Sequence, residues 1–314
     1  MSDVPTSVIF GAGPLGLAVT RHLASGRGPV RTVSRSGRAD VPAGVEVLAA
    51  DLADPEQARR AAAGADVVYH CASPPYHRWP ELHPPLMAAA IAAGAATGAK
   101  VVFGDNLYAY GPVDGPLIED LPYRPHGPNG RTRAEIAEAL LAAHRKGEVH
   151  AVIGRASDFF GPHARLSVVG DQVFARALAG KPARALGNPD LPHSVTYLDD
   201  FARALVDLAA REDAAGQVWH VPSPPPVTIR RFVQMVFADV ERPVRLRMAP
   251  RWGIGLAALF SPTMRAVKEQ LYQHEGPWVV DSTKFENVFG WTATPLPDAI
   301  RDTVAWYRAH QPTA

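Results

Sequence analysis

The chain has 314 residues, and its 32 basic and 31 acidic side chains leave a net charge of +1. This balance excludes nucleic-acid binding through bulk charge, and one cysteine excludes a disulfide framework or a cysteine-rich zinc module. Residues 1–6 do not resemble a signal peptide, and the alanine-rich run at 86–96 is too short to cross a bilayer. Composition therefore predicts a soluble, cytoplasmic globular protein with neither a nucleic-acid nor a membrane partner.

The first half of the chain alternates two periodicities. Short apolar runs predict buried strands at 7–10, 30–33, 45–48, 67–71, 101–103 and 149–155. Segments rich in alanine and leucine predict helices near 14–25, 55–63, 81–98 and 131–146. Alternation of this kind predicts an α/β fold, a Rossmann-type doubly wound parallel sheet over residues 1–165.

Proline and glycine become frequent after this domain. Helical patterns occur at 168–179, 199–210 and 296–310, and prolines predict an extended connector at 222–226. We expect residues 166–314 to form mainly a smaller C-terminal substrate-binding lobe with a closing helix. Segments near 190–220 are expected to return to the sheet domain.

A glycine-rich turn follows the first predicted strand and opens the first predicted helix. Its spacing is Gly-x-Gly-x-x-Gly, and its cofactor-binding candidates are Gly11, Gly13, Pro14, Leu15 and Gly16. The first glycine permits a tight turn, the second lets a pyrophosphate approach the backbone, and the third lets helix and strand pack closely. The alternative is an ordinary glycine-rich turn, but its place in the first βαβ unit favours a dinucleotide site.

The end of the second predicted strand indicates which dinucleotide is bound. Sites for NAD usually carry an acidic residue here, whereas the 2′-phosphate of NADP is matched by arginine. Ser34, Arg35 and Arg38 cluster at this place, and no acidic residue occurs until Asp40. The pattern favours NADP over NAD, with a solvated basic loop as the alternative.

Further motifs in the same order resemble the extended short-chain dehydrogenase/reductases of the NAD(P)-dependent epimerase/dehydratase group. The matching segments are Asp51-Leu52, Cys71-Ala72-Ser73, Tyr110-Gly111-Pro112, and the stretches 155–162 and 195–200. The resemblance implies that Asp51 and Leu52 contact adenine and that residues 71–73 lie beside the cofactor ribose. It also implies that 155–162, with Ser157 and Asp158, flanks the nicotinamide.

The catalytic residues depart from this family. Its members use Ser or Thr with Tyr-x-x-x-Lys, but the aligned positions here hold Asn106, Asn129 and Arg133. An amide is no proton donor near neutral pH, and arginine stays protonated. Arg133 remains a candidate for holding ribose or phosphate. The departure resembles the atypical branch of the family, which includes proteins without the usual dehydrogenase activity.

Substitutes for the missing groups follow the fifth predicted strand. Tyr108 offers a phenol, and Asn106 offers a donor to a substrate oxygen, so with Arg133 they form the candidate catalytic set. Packing of Tyr108 and a turn role for Asn106 are the alternatives. Asp158 could hydrogen-bond the nicotinamide amide or act as a base, or it could cap a loop.

Other features carry weaker signals. His77 and His83 lack a carboxylate companion, so we predict no metal site, and we expect His193 on the surface. The loop at 74–80 is either a lid over the nicotinamide or a stiff surface loop.

The preferred hypothesis is an NADP-dependent oxidoreductase or epimerase/dehydratase-like enzyme acting on a small carbonyl or hydroxyl compound. This hypothesis predicts a small-molecule substrate as the binding partner. A homodimer is the oligomeric state considered. A different class is a catalytically degenerate NADP-binding sensor or regulator. A third alternative is non-redox chemistry on the same scaffold.

Overall fold

The computed structural model describes residues 4–26 and 28–310. It divides the chain into two compact units. The first unit comprises Met1–Ala109, Pro128–Arg155 and Phe201–Trp219, and the second comprises Tyr110–Gly127, Ala156–Asp200 and His220–Ala314. Residues 1–3, on which the prediction of no signal peptide partly rests, lie outside the described residues.

The strands and helices alternate in the first half of the chain, as the periodicities predicted. The strands are β1 (Ser7–Phe10), β2 (Val30–Ser34), β3 (Glu46–Ala49), β4 (Val67–His70), β5 (Lys100–Asn106), β6 (Ala151–Ala156), β7 (Asp158–Phe160), β8 (Ala183–Ala185), β9 (Pro192–His193), β10 (Val195–Tyr197), β11 (Val218–His220), β12 (Val227–Thr228) and β13 (Leu246–Met248). The α-helices are α1 (Pro14–Ala24), α2 (Pro55–Ala61), α3 (Trp79–Thr97), α4 (Gly127–Arg145), α5 (Phe174–Leu178), α6 (Leu198–Ala210), α7 (Ile229–Asp239), α8 (Arg251–Phe260), α9 (Pro262–Glu269), α10 (Tyr272–Glu275), α11 (Thr283–Phe289) and α12 (Leu296–Ala309).

The first unit is built on a seven-stranded sheet with the order β11-β6-β5-β4-β1-β2-β3. Strand β1 pairs in parallel with β2 and β4, so the direction of winding reverses beside it. Every residue of β1 and of β4 is buried, as expected for strands covered on both faces. The sheet confirms the predicted Rossmann-type fold, and its switch point lies where such folds bind ligands.

One predicted helix is largely wrong. The pattern at 168–179 predicted a helix of three turns, but only the short α5 forms there. A Cβ on Gly170 would lie 2.2 Å from the carbonyl oxygen of Ala164, so this backbone approach is open only to glycine. Successive turns therefore replace the first half of the predicted helix.

The second unit has its own aromatic core. Phe174 stacks on Tyr307 with ring centroids 5.5 Å apart, and Phe160 meets Phe232 edge to face at 5.2 Å. The unit also contains three small two-stranded sheets, β7 with β10, β9 with β12 and β8 with β13, and residues of β7, β8 and β10 are part of the core. Helices α7 to α11 and most of these short strands were not predicted.

Three segments lie in the unit on the other side of the expected boundary at residue 165, and one of them falls within the stretch near 190–220 that was expected to return to the sheet domain. Residues 110–127 and 156–165 group with the second unit, whereas 201–219 group with the first. The substrate-binding role of the second unit remains a prediction. Across residues 4–26 and 28–310, no helix combines the length and hydropathy needed to span a membrane.

Candidate functional site

Two glycines in the turn between β1 and α1 have no room for a side chain. Gly11 has φ +106°, and a Cβ on it would lie 2.6 Å from Cα of Ala72. A Cβ on Gly16 would lie 1.8 Å from the carbonyl oxygen of Gly11. These two contacts seat the start of α1 against the turn and press the turn against the loop that follows β4.

Gly13 is different, because a Cβ there would meet nothing within 4 Å among the described residues. It is the N-cap of α1, which begins with Pro14, and no side chain of the described chain caps that end. The first backbone N–H groups of a helix have no intrahelical acceptor and attract anions. The turn therefore fits a dinucleotide pyrophosphate in both space and hydrogen-bond donors.

The turn after β2 presents two guanidinium groups. Oγ of Ser34 accepts a hydrogen bond from the backbone N–H of Arg38 at 3.1 Å and donates to its carbonyl oxygen at 3.0 Å. Arg35 and Arg38 are exposed, and within the described parts of the chain neither pairs with a carboxylate. Ser34 thus closes the turn, while the two arginines face solvent.

The ends of β3 and β4 carry the other predicted cofactor contacts. Leu52 is buried, whereas Asp51 is exposed and its Oδ1 accepts from the backbone N–H of Ala53 at 3.0 Å. The backbone N–H of Cys71 donates to the carbonyl oxygen of Phe10 at 2.9 Å, and burial raises the pKa of the Cys71 thiol. Ser73 is exposed at the end of this loop.

A buried ion cluster lies at the end of β5. Asp105 is fully buried, and its Oδ2 accepts from Nε of Arg155 at 2.9 Å while its Oδ1 accepts from Nη1 of Arg133 at 3.2 Å. The guanidinium carbon of Arg133 also lies 4.3 Å from the ring centroid of Trp79. Burial lowers the pKa of Arg133, but from so high a value that the group remains charged.

Asn129, which the sequence predicts to stand at the family's tyrosine position, also has a structural contact. Its Nδ2 donates to the backbone carbonyl oxygen of Tyr76 at 3.1 Å. Together with Arg133, it holds α4 against the segment after β4. Neither residue presents the phenol or the mobile ammonium of the family's usual pair.

The two substitutes proposed from the sequence are adjacent. Oδ1 of Asn106 accepts from the backbone N–H of Tyr108 at 3.1 Å, which is the turn role considered for this asparagine. The hydroxyl of Tyr108 lies 3.4 Å from that of Tyr76, and its ring packs near Trp79 at 5.8 Å between centroids. The loop at 74–80 is ordered as a 3₁₀ turn, Tyr76–Arg78, that leads into α3.

Two buried histidines lie near this cluster, of which His83 was considered only as a metal ligand and His70 was not predicted. Neither ring nitrogen of His70 or of His83 has a hydrogen-bond partner among the described residues. Burial, assisted by the charge of Arg133, lowers the pKa of His70 to about 3 and strongly lowers that of His83. Both therefore stay neutral at physiological pH. The one available signal for His70 was its place at the end of an apolar strand.

The remaining predicted residues lie in the second unit. Oγ of Ser157 donates to the carbonyl oxygen of Ser194 at 2.7 Å, which ties β7 to the segment before β10. Oδ2 of Asp158 lies 2.9 Å from Nε2 of His193 and 3.7 Å from Nε2 of His274. The predicted surface placement of His193 is wrong, because its side chain is almost completely buried against Asp158.

Asp158 and the two histidines influence one another's ionisation. Burial opposes ionisation of Asp158, but the hydrogen bond from His193 and the charges of both histidines outweigh burial and lower its pKa. Burial lowers the pKa of His274 to about 4. No spacing pattern indicates this group, because its members come from three distant segments.

The glycine turn, the doubly wound sheet and the loops at its carboxyl edge define a dinucleotide-binding α/β protein of the short-chain dehydrogenase type. The model of the NAD dependent epimerase/dehydratase family matches residues 8–221, more than half of the chain. The chain belongs to this family, as its motifs predicted.

Curated relatives are distant. A 3beta-hydroxysteroid-dehydrogenase/decarboxylase isoform from Arabidopsis thaliana is 25% identical over 322 residues, covering 89% of this chain and 54% of the relative. A probable dTDP-glucose 4,6-dehydratase from Sinorhizobium fredii is 27% identical over 207 residues, covering 65% of this chain and 55% of the relative. The chain thus spans about half the length of the curated relatives it matches.

Solved structures share the fold over nearly the whole chain. A dTDP-glucose 4,6-dehydratase from Streptomyces venezuelae, solved with NAD bound, has a TM-score of 0.78 at 18% identity and covers 96% of each chain. A UDP-N-acetylglucosamine 4-epimerase from Bacillus cereus has a TM-score of 0.79 at 14% identity and covers 99% of each chain.

Proposed function

We propose that this protein is an NADP-dependent enzyme that oxidises or reduces a small carbonyl or hydroxyl compound, with or without epimerisation or dehydration. The observation that carries this proposal is the open glycine turn at Gly13 together with the exposed Arg35 and Arg38. The family description supports a nicotinamide cofactor, and the absence of an acidic residue between 31 and 39 supports the phosphorylated form.

Each strand end has a separate task in this proposal. Backbone N–H groups at the start of α1 bind the pyrophosphate, and Arg35 and Arg38 hold the 2′-phosphate. Leu52 packs against adenine beside Asp51, and residues 71–73 line the ribose. The bound cofactor supplies or accepts the hydride, so the protein must orient the substrate and move one proton.

We propose that the Tyr108 hydroxyl is the group that donates this proton to the substrate or accepts it from the substrate. Tyr108 follows the carboxyl end of β5, where open α/β sheets bind ligands, and Arg133 interacts electrostatically with the phenols of Tyr108 and Tyr76. Asn106 still has its Nδ2 to donate to a substrate oxygen, since Oδ1 is the atom that holds the turn. Arg133 contributes only indirectly, because its contacts with Asp105 and Trp79 keep the side chain buried.

Loss of the tyrosine hydroxyl tests this role. Tyr108→Phe should lower kcat by ~10²–10⁴-fold with little change in NADPH affinity, because the phenol acts in proton transfer only. Tyr123→Phe, which also removes an aromatic hydroxyl, is the control and should turn over normally. Normal turnover by Tyr108→Phe would remove Tyr108 from the catalytic set.

A second candidate function is an NADP-binding sensor without turnover. Asn129 and Arg133 favour it, because the family's usual tyrosine and lysine positions are both used for packing contacts here. In this case binding of NADPH would be retained while no substrate is reduced.

Cofactor titrations followed by a substrate screen distinguish the two candidates. By calorimetry, NADPH should bind at least about tenfold more tightly than NADH, a difference of ~1.4 kcal/mol. Arg35→Ala should remove this preference and leave NADH affinity nearly unchanged, whereas Arg131→Ala, an exposed arginine on α4, should change neither. Equal affinities for the two cofactors would refute the NADP assignment. NADPH consumption with a panel of carbonyl compounds would support the enzyme, and tight binding without consumption would support the sensor.

The second unit is proposed to select the substrate, and a homodimer is the assembly proposed for the protein. Substrate selection outside the sheet would fit a family in which one fold serves dehydratases and epimerases.

A further inference from the structure

The second unit contains a compact group of metal-ligand atoms that the proposed NADP chemistry does not use. One ring nitrogen of His193, one ring nitrogen of His274 and one carboxylate oxygen of Asp158 all lie within 4.8 Å of one another. Both histidines approach the same atom, Oδ2 of Asp158, at 2.9 and 3.7 Å. We propose that these three side chains bind one divalent transition-metal ion of the zinc class.

The distances suit such an ion. Zinc lies ~2.0–2.2 Å from imidazole nitrogen and carboxylate oxygen, so ligand atoms in a tetrahedral site are ~3.3–3.5 Å apart. The observed oxygen-to-nitrogen distances lie on either side of this range. The two imidazole rings stack with centroids 4.9 Å apart, so at least one ring must turn for both Nε2 atoms to point at one ion. An ion between the three atoms would replace the hydrogen bond from His193 to Asp158.

The backbone of each ligand is held by a different part of the unit. Asp158 begins β7, where it pairs with Val195, and His193 pairs with Val227 between β9 and β12. The carbonyl oxygen of His274 accepts from the backbone N–H of Asn188 at 2.7 Å. Three ligands fixed from three segments form a prearranged site, because little backbone freedom is lost when the ion binds.

Burial and ligand type narrow the class of ion. The exposed fractions of the side chains are 3% for His193, 10% for His274 and 14% for Asp158, so the ligand atoms are shielded from bulk water. Two imidazoles with one carboxylate suit zinc, cobalt, nickel or ferrous iron, whereas magnesium and calcium prefer oxygen ligands alone. Three protein ligands leave at least one position for water or for an oxygen of a bound molecule.

The test uses the whole 314-residue chain freed of any affinity tag, stripped with a chelator and desalted. Titration calorimetry with zinc should give about one ion per chain, and cobalt should give the visible absorption of a four- or five-coordinate site. His193→Gln and His274→Gln should each weaken zinc binding by at least ~100-fold. His22→Gln, which alters an exposed histidine of α1, is the control and should bind zinc as the parent protein does.

The wild-type titration does not depend on whether any variant folds. Asp158→Asn, which keeps the size of the side chain, gives a second variant if a histidine substitution disrupts the unit. Absence of tight zinc binding by the wild-type protein would overturn the proposal and leave a hydrogen-bonded His-Asp-His group. Zinc binding that survives all three substitutions would overturn it as well, since the ion would then bind elsewhere.

Discussion

The glycine turn after β1 and the first turns of α4 depend on different kinds of contact. The turn works through its backbone: Gly11 and Gly16 fit only without side chains, and Gly13 leaves its side open. The start of α4 works through side chains: Asn129 donates to the carbonyl oxygen of Tyr76, and Arg133 pairs with Asp105. These are the positions that the sequence predicts for the family's tyrosine and lysine, so we expect the backbone site to be kept where the side-chain chemistry differs.

The largest expected effect concerns the buried ion cluster around Asp105, which includes Arg133 of α4. Asp105→Ala would leave the guanidinium groups of Arg133 and Arg155 without their buried counter-charge, which should cost about 3–5 kcal/mol of unfolding free energy. Chemical unfolding of the purified protein measures this loss. Asp298→Ala removes a partner from an exposed Asp-Arg pair and should cost less than about 1 kcal/mol. Equal losses for the two variants would show that the buried cluster does not hold this region together.

The next effect concerns cofactor affinity at the glycine turn. Gly13→Val should reduce NADPH affinity by at least about 100-fold, or ~2.7 kcal/mol. The branched side chain would fill the space in which we propose that the pyrophosphate binds. Circular dichroism should remain that of the parent, since nothing in the described structure lies within 4 Å of the new Cβ.

Two other glycines make this result interpretable. Gly255→Val adds the same bulk at an open glycine of α8 and should leave NADPH binding unchanged. Gly16→Val should instead prevent folding of the turn, because its Cβ would overlap the carbonyl oxygen of Gly11. If Gly13→Val binds NADPH as well as the parent does, the turn is not the phosphate site.

The difference between the glycine turn and the start of α4 also explains which parts of the structure could be predicted from the sequence. Strands β1 to β6 were predicted to within a few residues, because each is a short apolar run between turns, whereas β11 was not predicted. The glycine turn was found because backbone geometry restricts the residue types allowed there. The ion cluster around Asp105 was missed, since its members come from β5, α4 and β6 and share no spacing.

The second unit was the harder part for a related reason. Its sheets have only two or three residues per strand, too few to show a period of two. His193, which precedes a predicted strand of the later lobe, was predicted on the surface, with a pocket-facing position as the alternative. Only the fold brings it to Asp158 and His274.

The smallest expected effect concerns Asn129 and distinguishes a packing role of this residue from a chemical one. Asn129→Ala removes the hydrogen bond from Nδ2 to the carbonyl oxygen of Tyr76, which should cost about 1 kcal/mol of unfolding free energy. NADPH affinity and turnover should stay within about twofold of the parent, because the amide is committed to the backbone of Tyr76. Asn287→Ala, at an exposed position of α11, is the matched control for stability and should change it by less than half as much. A fall of tenfold or more in turnover at unchanged stability would show the reverse: Asn129 would then contact the substrate, and the start of α4 would have kept a chemical function in place of the family's tyrosine.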